Sequence, residues 1–427
     1  MSERARFEVP RDPSTVGRLI ERSASRLPNK VAITFAGRSW TYAELDRGVG
    51  RVAAALLARG LKPGDRVAAF GRNSDAYILL FIGCARAGLV HVPVNYNARG
   101  DELVYLLTQS QPRAAFCDTA FERVVAEVRD RLADQRLGTL HGGDTDDDVL
   151  RWALHADGPI HEESGVHEDD LVQLLYTSGT TALAKGAMLT HRAFVHEYAS
   201  AIAAYGLEAQ DVQLASLPLY HSGQLQAFTM PCLTIGATTH VIEAPDLDVM
   251  FDRIARDGID SLFAAPTVWV ALANHPRLAE ADLSGLRKAF YGASIMPVPV
   301  LKRLQAQLPN AGFYNCFGQS EAGPLTCVLR PEEHAERPDS VGRSVMFVQT
   351  RVVDEDFNDV APGGVGEVIY RSPQLCSGYW GKPEETEEAF RGGWFHSGDL
   401  VRIDEQGYLF VVDRIKDVIN TGGVLVA

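Results

Sequence analysis

Hydrophobic and polar positions change period repeatedly along this chain. Between Thr41 and Gly60 the apolar residues Leu45, Val49, Val52 and Leu56 fall on one helical face. Thr41 and Glu44 have the spacing of a capping box at its start, and Gly60 with Pro63 stops it. Arg66 to Phe70 then reads as a strand, Ser74 to Ala87 as a helix ending at Gly88, and Leu89 to Val94 as a strand. A helix from Asp101, a strand at Ala114 to Asp118 and a helix from Ala120 to about Leu132 repeat the alternation. A second run follows a polar stretch at Asp157 to Asp170. It predicts a helix from His191 to Tyr205, strands near Val212 to Leu217 and Ala237 to Glu243, a helix at Leu247 to Asp257 and a strand at Ser261 to Ala264. Helices after Pro266 and Pro297 flank a strand at Leu286 to Tyr291, and Gly312 to Phe317 is the next strand. Strands alternating with helices of this length predict βαβ units and mostly parallel sheets. From Val341 the texture becomes short strands (Phe347 to Val353, Gly366 to Arg371) between Asp-, Pro- and Gly-rich turns, which predicts a small antiparallel barrel or sheet. The expected divisions are an α/β unit at 1–165, a second at 166–340 and the small β unit at 341–412, with 413–427 as a closing segment.

Length and composition agree with this picture. The chain has 427 residues, enough for two or more packed units, and 46% of them are apolar. A net charge of -14 argues against a general nucleic-acid binder and means that any anion site must be built locally. The six cysteines are scattered with no CxxC pair, which fits free thiols in a reducing compartment. The N-terminus lacks the apolar core of a signal peptide. The longest apolar stretch, Ala76 to Val94, contains Arg86 and His91, too polar for a membrane span of about 20 residues. The expected location is cytoplasmic.

The stretch with the densest candidate chemistry is Tyr176 to Gly186, YTSGTTALAKG. Thr177, Ser178, Thr180 and Thr181 supply hydroxyls, Gly179 lets the backbone approach an anion, and Lys185 adds a point charge suited to polyphosphate. A solvated Gly/Ser/Thr-rich loop is the other reading. The spacing excludes a nucleoside-triphosphatase P-loop: Gly179 is followed five places later by Ala184, and Gly186 follows Lys185. Glu321, on the Gly-containing turn Asn315 to Glu321 after a predicted strand, is a candidate Mg²⁺ ligand or an ordinary exposed acid. Asp399, after the tight Gly398, is a turn residue or the acceptor for a ribose diol. Gly292, Ala293 and Ser294 stand where an α/β sheet presents ligands. No Ser-His-Asp set, HExxH or paired-carboxylate pattern occurs.

The loop resembles the signature of the adenylate-forming superfamily, which comprises acyl-CoA synthetases, luciferases and peptide-synthetase adenylation domains. The family spelling is YTSGTTGxPKG, with Ala182 and Ala184 here replacing Gly and Pro. Asn315 to Glu321 resembles the family's Tyr-Gly-x-Thr-Glu element, with Phe317 for Tyr and Ser320 for Thr. Ser397-Gly398-Asp399, Asp413-Arg414-Ile415-Lys416-Asp417 and Pro218 to Gly223 also match, in the family's order.

The resemblance implies two stacked α/β subdomains and a small β-barrel subdomain. It implies that Thr177, Ser178, Gly179, Thr180, Thr181 and Lys185 hold phosphates, with Thr177 and Glu321 at Mg²⁺. Phe317 and Gly318 would border adenine with Gly292, Ala293, Ser294 and Asn315, and Ser320 would approach the α-phosphate. Asp399 and Arg414 would bind ribose, His221 and Gly292 would border the acyl group, and Lys416 would be a hinge to a C-terminal domain expected beyond this chain. The implied reaction is ATP-dependent activation of a fatty or other apolar acid, with coenzyme A as acceptor. A ligase loading a carrier protein, or a binding core without turnover, are the alternatives. The oligomeric state, a homodimer among the options, is not encoded in these patterns.

Overall fold

The computed structural model describes residues 12–132, 135–177 and 183–414, together with the backbone of the strands Ile419–Thr421 and Val424–Val426. The first large sheet has six strands, in the order Arg136–Thr139, Ala114–Cys117, Arg66–Phe70, Val90–Val94, Leu171–Thr177 and Lys185–Thr190. All its pairs are parallel except the last, where Leu171–Thr177 and Lys185–Thr190 form an antiparallel hairpin. The second sheet has nine strands, with a parallel centre from Gly312–Gly318 to Val31–Phe35 and antiparallel pieces at both edges. The third is a four-stranded antiparallel sheet, Gln349–Val353, Val365–Arg371, Phe395–Ile403 and Leu409–Arg414, so the sheet of the two expected forms is the one adopted.

Sheet membership crosses the division expected at 165/166. Val31–Phe35 and Arg38–Thr41 join the nine-stranded sheet through Thr238–Val241, and the hairpin after residue 166 completes the six-stranded one. The helix expected from Ala120 is shorter, Glu122–Val128 between 3₁₀ turns at Thr119–Phe121 and Arg129–Arg131. Phe121, Val125 and Val128 are the buried positions of that stretch, too few to stabilise three regular turns.

Elsewhere the caps act as their residues predict. Ser74 accepts from the Tyr77 N–H, and the helix Asp75–Arg86 is buried along its whole length. Thr41 and Glu44 close the capping box, and Thr190 caps His191–Tyr205, which ends at Gly206 with φ of +59°. Among the described residues no helix is long and apolar enough to cross a membrane. All six cysteines are free thiols.

Buried polar groups fix the six-stranded sheet to the helix His191–Tyr205 and the helical turn Gly223–Thr229. Tyr198 donates to Gln226, Gln226 Nε2 donates to Gln173 Oε1 at 2.9 Å, and Gln173 Nε2 lies 2.9 Å from His91 Nδ1. Burial pushes His91 down to about 3, so its ring stays neutral. Gln173 lies on the strand that presents Thr177, so this ladder sets the height of the hairpin that carries Thr177 and Lys185.

Glu163 ties the polar stretch between the two runs to the first helix, Val16–Arg26. Thr15 Oγ1 donates to its carboxylate, and Arg18 Nη2 donates to its carbonyl at 3.0 Å. Burial pushes the Glu163 carboxyl from 4.5 up to about 7, against the pull of Thr15 and Arg18. In that window the folded chain holds a proton that the unfolded chain has lost, so this group's stabilisation falls as pH rises. Glu163→Gln is expected to flatten the stability difference between about pH 5 and about pH 7.5 by about 2 kcal/mol, read by urea unfolding. An unchanged slope would remove Glu163 as the titrating group.

Candidate active site

The hairpin register places Thr177 directly opposite Lys185, so hydroxyl and ammonium leave the sheet at one point. Thr177 is the last residue of its strand, at the carboxyl end where parallel sheets present ligands. Gly292 and Gly318 end strands of the second sheet. All of them face one cleft of about 880 Å³.

Glu321 joins the two sheets across this cleft. Thr177 Oγ1 and Tyr379 Oη both donate to Glu321 Oε1, each at 3.0 Å, and among the described residues no donor reaches Oε2. Burial, and next the Glu321 carboxylate, push the Tyr379 phenol well above its usual range, so it stays a donor. The Cys376 N–H donates to the Glu321 carbonyl at 2.7 Å, which holds the Tyr379 turn against Glu321. Lys185 Nζ stands 4.9 Å from the Tyr379 ring centroid, a cation–π contact that orients the ammonium. Tyr379 was not singled out from the sequence. Its signal was an aromatic pair, Tyr379-Trp380, set between Gly378 and Gly381.

The small sheet supplies a further wall. Asp399, 4% exposed, accepts from Arg414 Nε at 2.7 Å. Burial raises the Asp399 carboxyl and Arg414 restrains the rise. Glu367 accepts from the Gly398 N–H at 2.9 Å and lies 2.8 Å from His396 Nδ1, which fixes the tight turn with Gly398 at φ of +74°.

The turn after Tyr291 needs its small residues. A Cβ at Gly292 would stand 2.2 Å from the Cys316 carbonyl oxygen, and Ala293 holds a left-handed φ of +65°. Asn315 Nδ2 donates to the Ser340 carbonyl at 2.8 Å and Thr326 Oγ1 to the Phe317 carbonyl at 3.1 Å. Ser320 Oγ lies 2.7 Å from Ser222 Oγ. His221 Nδ1 accepts from the Gly223 N–H at 3.3 Å. A π-helical turn, Gly223–Thr229, follows and brings Ala227 and Phe228 to the cleft.

Thr177, Lys185, His221, Gly292, Ala293, Ser294, Asn315, Phe317, Gly318, Ser320, Glu321, Asp399 and Arg414 therefore line a single cleft. Ser178, Gly179, Thr180, Thr181 and Lys416 lie outside the described residues.

With the cleft in view, comparison with known proteins places the chain. A family model described as AMP-binding enzyme matches residues 20–380. The chain belongs to the AMP-binding enzyme family. It is 34% identical to a feruloyl-CoA synthase of Amycolatopsis over 94% of this chain and 79% of that protein. It is 31% identical to an indoleacetate–CoA ligase of Aromatoleum aromaticum (95% and 79%) and 30% identical to a long-chain-fatty-acid–CoA ligase of Escherichia coli O157:H7 (95% and 78%). Among solved structures, the N-terminal domain of FACL13 from Mycobacterium tuberculosis superposes with a TM-score of 0.86 at 26% identity, covering 94% of this chain and 100% of that one. ATP-bound MatB from Rhodopseudomonas palustris gives 0.83 at 30% identity, covering 96% and 81%.

In this AMP-binding enzyme, Thr177 and Tyr379 share one acceptor oxygen, and their substitutions are expected to couple. Thr177→Val and Tyr379→Phe are each expected to destabilise by about 1.5 kcal/mol, as for hydrogen bonds to a charged group. The double variant is expected to depart from additivity by at least about 0.5 kcal/mol in a denaturation cycle. Strict additivity would mean that the two hydroxyls act independently.

Proposed function

We propose that this AMP-binding enzyme joins a carboxylic acid to the α-phosphate of ATP and then passes the acyl group to the thiol of coenzyme A. The observation that carries this reading is the convergence on one cleft of Thr177, Lys185 and Glu321 with Asp399 and Arg414. The first group suits a polyphosphate and the second a ribose.

The charge balance of the cleft supports a divalent cation. Its described lining carries six carboxylates (Glu321, Asp339, Glu367, Glu385, Glu388 and Asp399) against three permanent cations (Lys185, Arg391 and Arg414). A nucleoside triphosphate entering so acidic a cleft needs a counter-charge. Mg²⁺ takes one or two carboxylates plus phosphate oxygens, and Glu321 Oε2 with the Thr177 hydroxyl fits that donor set. When bound, Mg²⁺ would neutralise phosphate charge next to Glu321.

The chain's own residues then have these parts. Lys185 and the hydroxyls of Thr177, Ser178, Thr180 and Thr181, with Gly179 giving the backbone access, hold the phosphates. Phe317 offers a flat face to adenine, Gly318 with Gly292, Ala293, Ser294 and Asn315 borders the base, and Ser320 meets the α-phosphate. The acid enters past His221 and Gly292. Its carboxylate oxygen bonds to the α-phosphorus and pyrophosphate leaves. Anion attacks anion here, so positioning and charge neutralisation matter more than proton transfer. In the second step the thiol sulfur bonds to the acyl carbon, AMP leaves and the thiol proton passes to solvent. Lys416 serves as the pivot between the two steps. The free cysteines fit a reducing cytoplasmic setting.

A carrier-protein thiol is the second acceptor considered, because a relative 33% identical to this chain is named a fatty acid–[acyl-carrier-protein] ligase. The test is ATP–pyrophosphate exchange with a panel of acids, followed by mass spectrometry of the product. An acyl-adenylate is expected, and Glu321→Gln is expected to lower exchange at least about a hundredfold while raising the Mg²⁺ requirement. ATP binding with no exchange for any acid would leave a binding core without turnover.

A further inference from the structure

One wall of the cleft is formed by Tyr205, Ala227, Phe228, Phe263, Cys316 and Leu325, none of them charged. Three of these rings form a stack. Phe263 and Phe228 lie 4.1 Å apart at 16°, and Phe228 and Tyr205 lie 5.1 Å apart at 0°. Phe290 packs behind both Tyr205 (4.7 Å) and Phe228 (5.1 Å), and Tyr314 packs on Phe290 at 4.8 Å. Although they line the cleft, Tyr205 is 0% and Phe228 1% exposed, so the space tapers out against the stack. All the rings belong to the core shared with the small sheet, so a passage beyond them would require that core to open.

The stack also holds an unmet polar group. Tyr205 is fully buried, and its hydroxyl has no hydrogen-bond partner better than the Cys316 thiol beside it, a weak acceptor. Burial first, and then Cys316, push the phenol well above its usual range, so it remains a donor in search of an oxygen.

We infer that the acid this enzyme takes is a short one ending in an aromatic ring, with the ring against Phe263 and Phe228 and a polar substituent at its far edge reaching Tyr205. This rests on the acid-activating reading above. A flat ring matches the stacked wall, and a ring hydroxyl or ether oxygen supplies the acceptor that Tyr205 lacks. A fatty acid would leave that phenol unpaired and would meet a closed wall.

The test pairs calorimetric binding with ATP–pyrophosphate exchange on the full chain, using 4-hydroxycinnamate, cinnamate, hexanoate and palmitate as probes. The 4-hydroxycinnamate is expected to bind and exchange about tenfold better than cinnamate, with palmitate weakest. Tyr205→Phe is expected to bring the ratio of 4-hydroxycinnamate to cinnamate close to one. Phe263→Ala is expected to raise hexanoate and palmitate relative to cinnamate. Palmitate preferred by the unaltered chain, or a hydroxyl preference that survives Tyr205→Phe, would overturn the inference. The binding arm separates the two readings. If the acids rank as expected in binding but none supports exchange, the pocket assignment stands and the activating reading fails. If exchange occurs only with the aliphatic acids, the activating reading stands and this one fails. If no acid binds, both fail.

Discussion

The arrangement of this molecule around its cleft depends on one carboxylate oxygen. Glu321 Oε1 receives Thr177 from the six-stranded sheet and Tyr379 from the segment joining Val365–Arg371 to Phe395–Ile403 of the small sheet, while Glu321 itself follows a strand of the nine-stranded sheet. Three separately folded pieces of backbone are thereby held to within a hydrogen bond of one another. Both donors fall on the same oxygen, so among the described residues the other keeps its lone pairs. Lys185, held over the Tyr379 ring, takes its position from the same contact.

The acid-rich lining gives that contact a second consequence. Six carboxylates facing three permanent cations would repel a bare triphosphate. Nucleotide affinity in such a cleft comes from a small number of local donors and a counter-ion, which agrees with a chain whose overall charge is strongly negative. Asp399 and Arg414 form a close pair on the small sheet, where burial alone would otherwise favour a neutral carboxyl.

Much of the fold was legible because its signals are local. The helix Leu247–Asp257 and the strand Ser261–Ala264 run between the residues the pattern indicates, and the capping box of Thr41 and Glu44 forms as spaced. What could not be read is non-local. Val31–Phe35 pairs with Thr238–Val241, and no periodicity in a short strand names a partner so far along the chain. Tyr379 escaped for the same reason: its role arises from contact with Glu321, not from its neighbours in sequence. The residues of the cleft were legible as motifs, but the ring stack in its wall was not. Tyr205, Phe228, Phe263 and Phe290 come from four separate elements and read individually as core.

That stack couples two properties that other folds keep apart. The same rings that limit the cleft also cement the core beneath the small sheet, so selection for a new substrate and selection for a stable fold act on the same side chains. A single substitution that enlarges the pocket also hollows the core. Change of substrate range in this lineage is therefore expected to proceed through paired replacements that conserve ring volume.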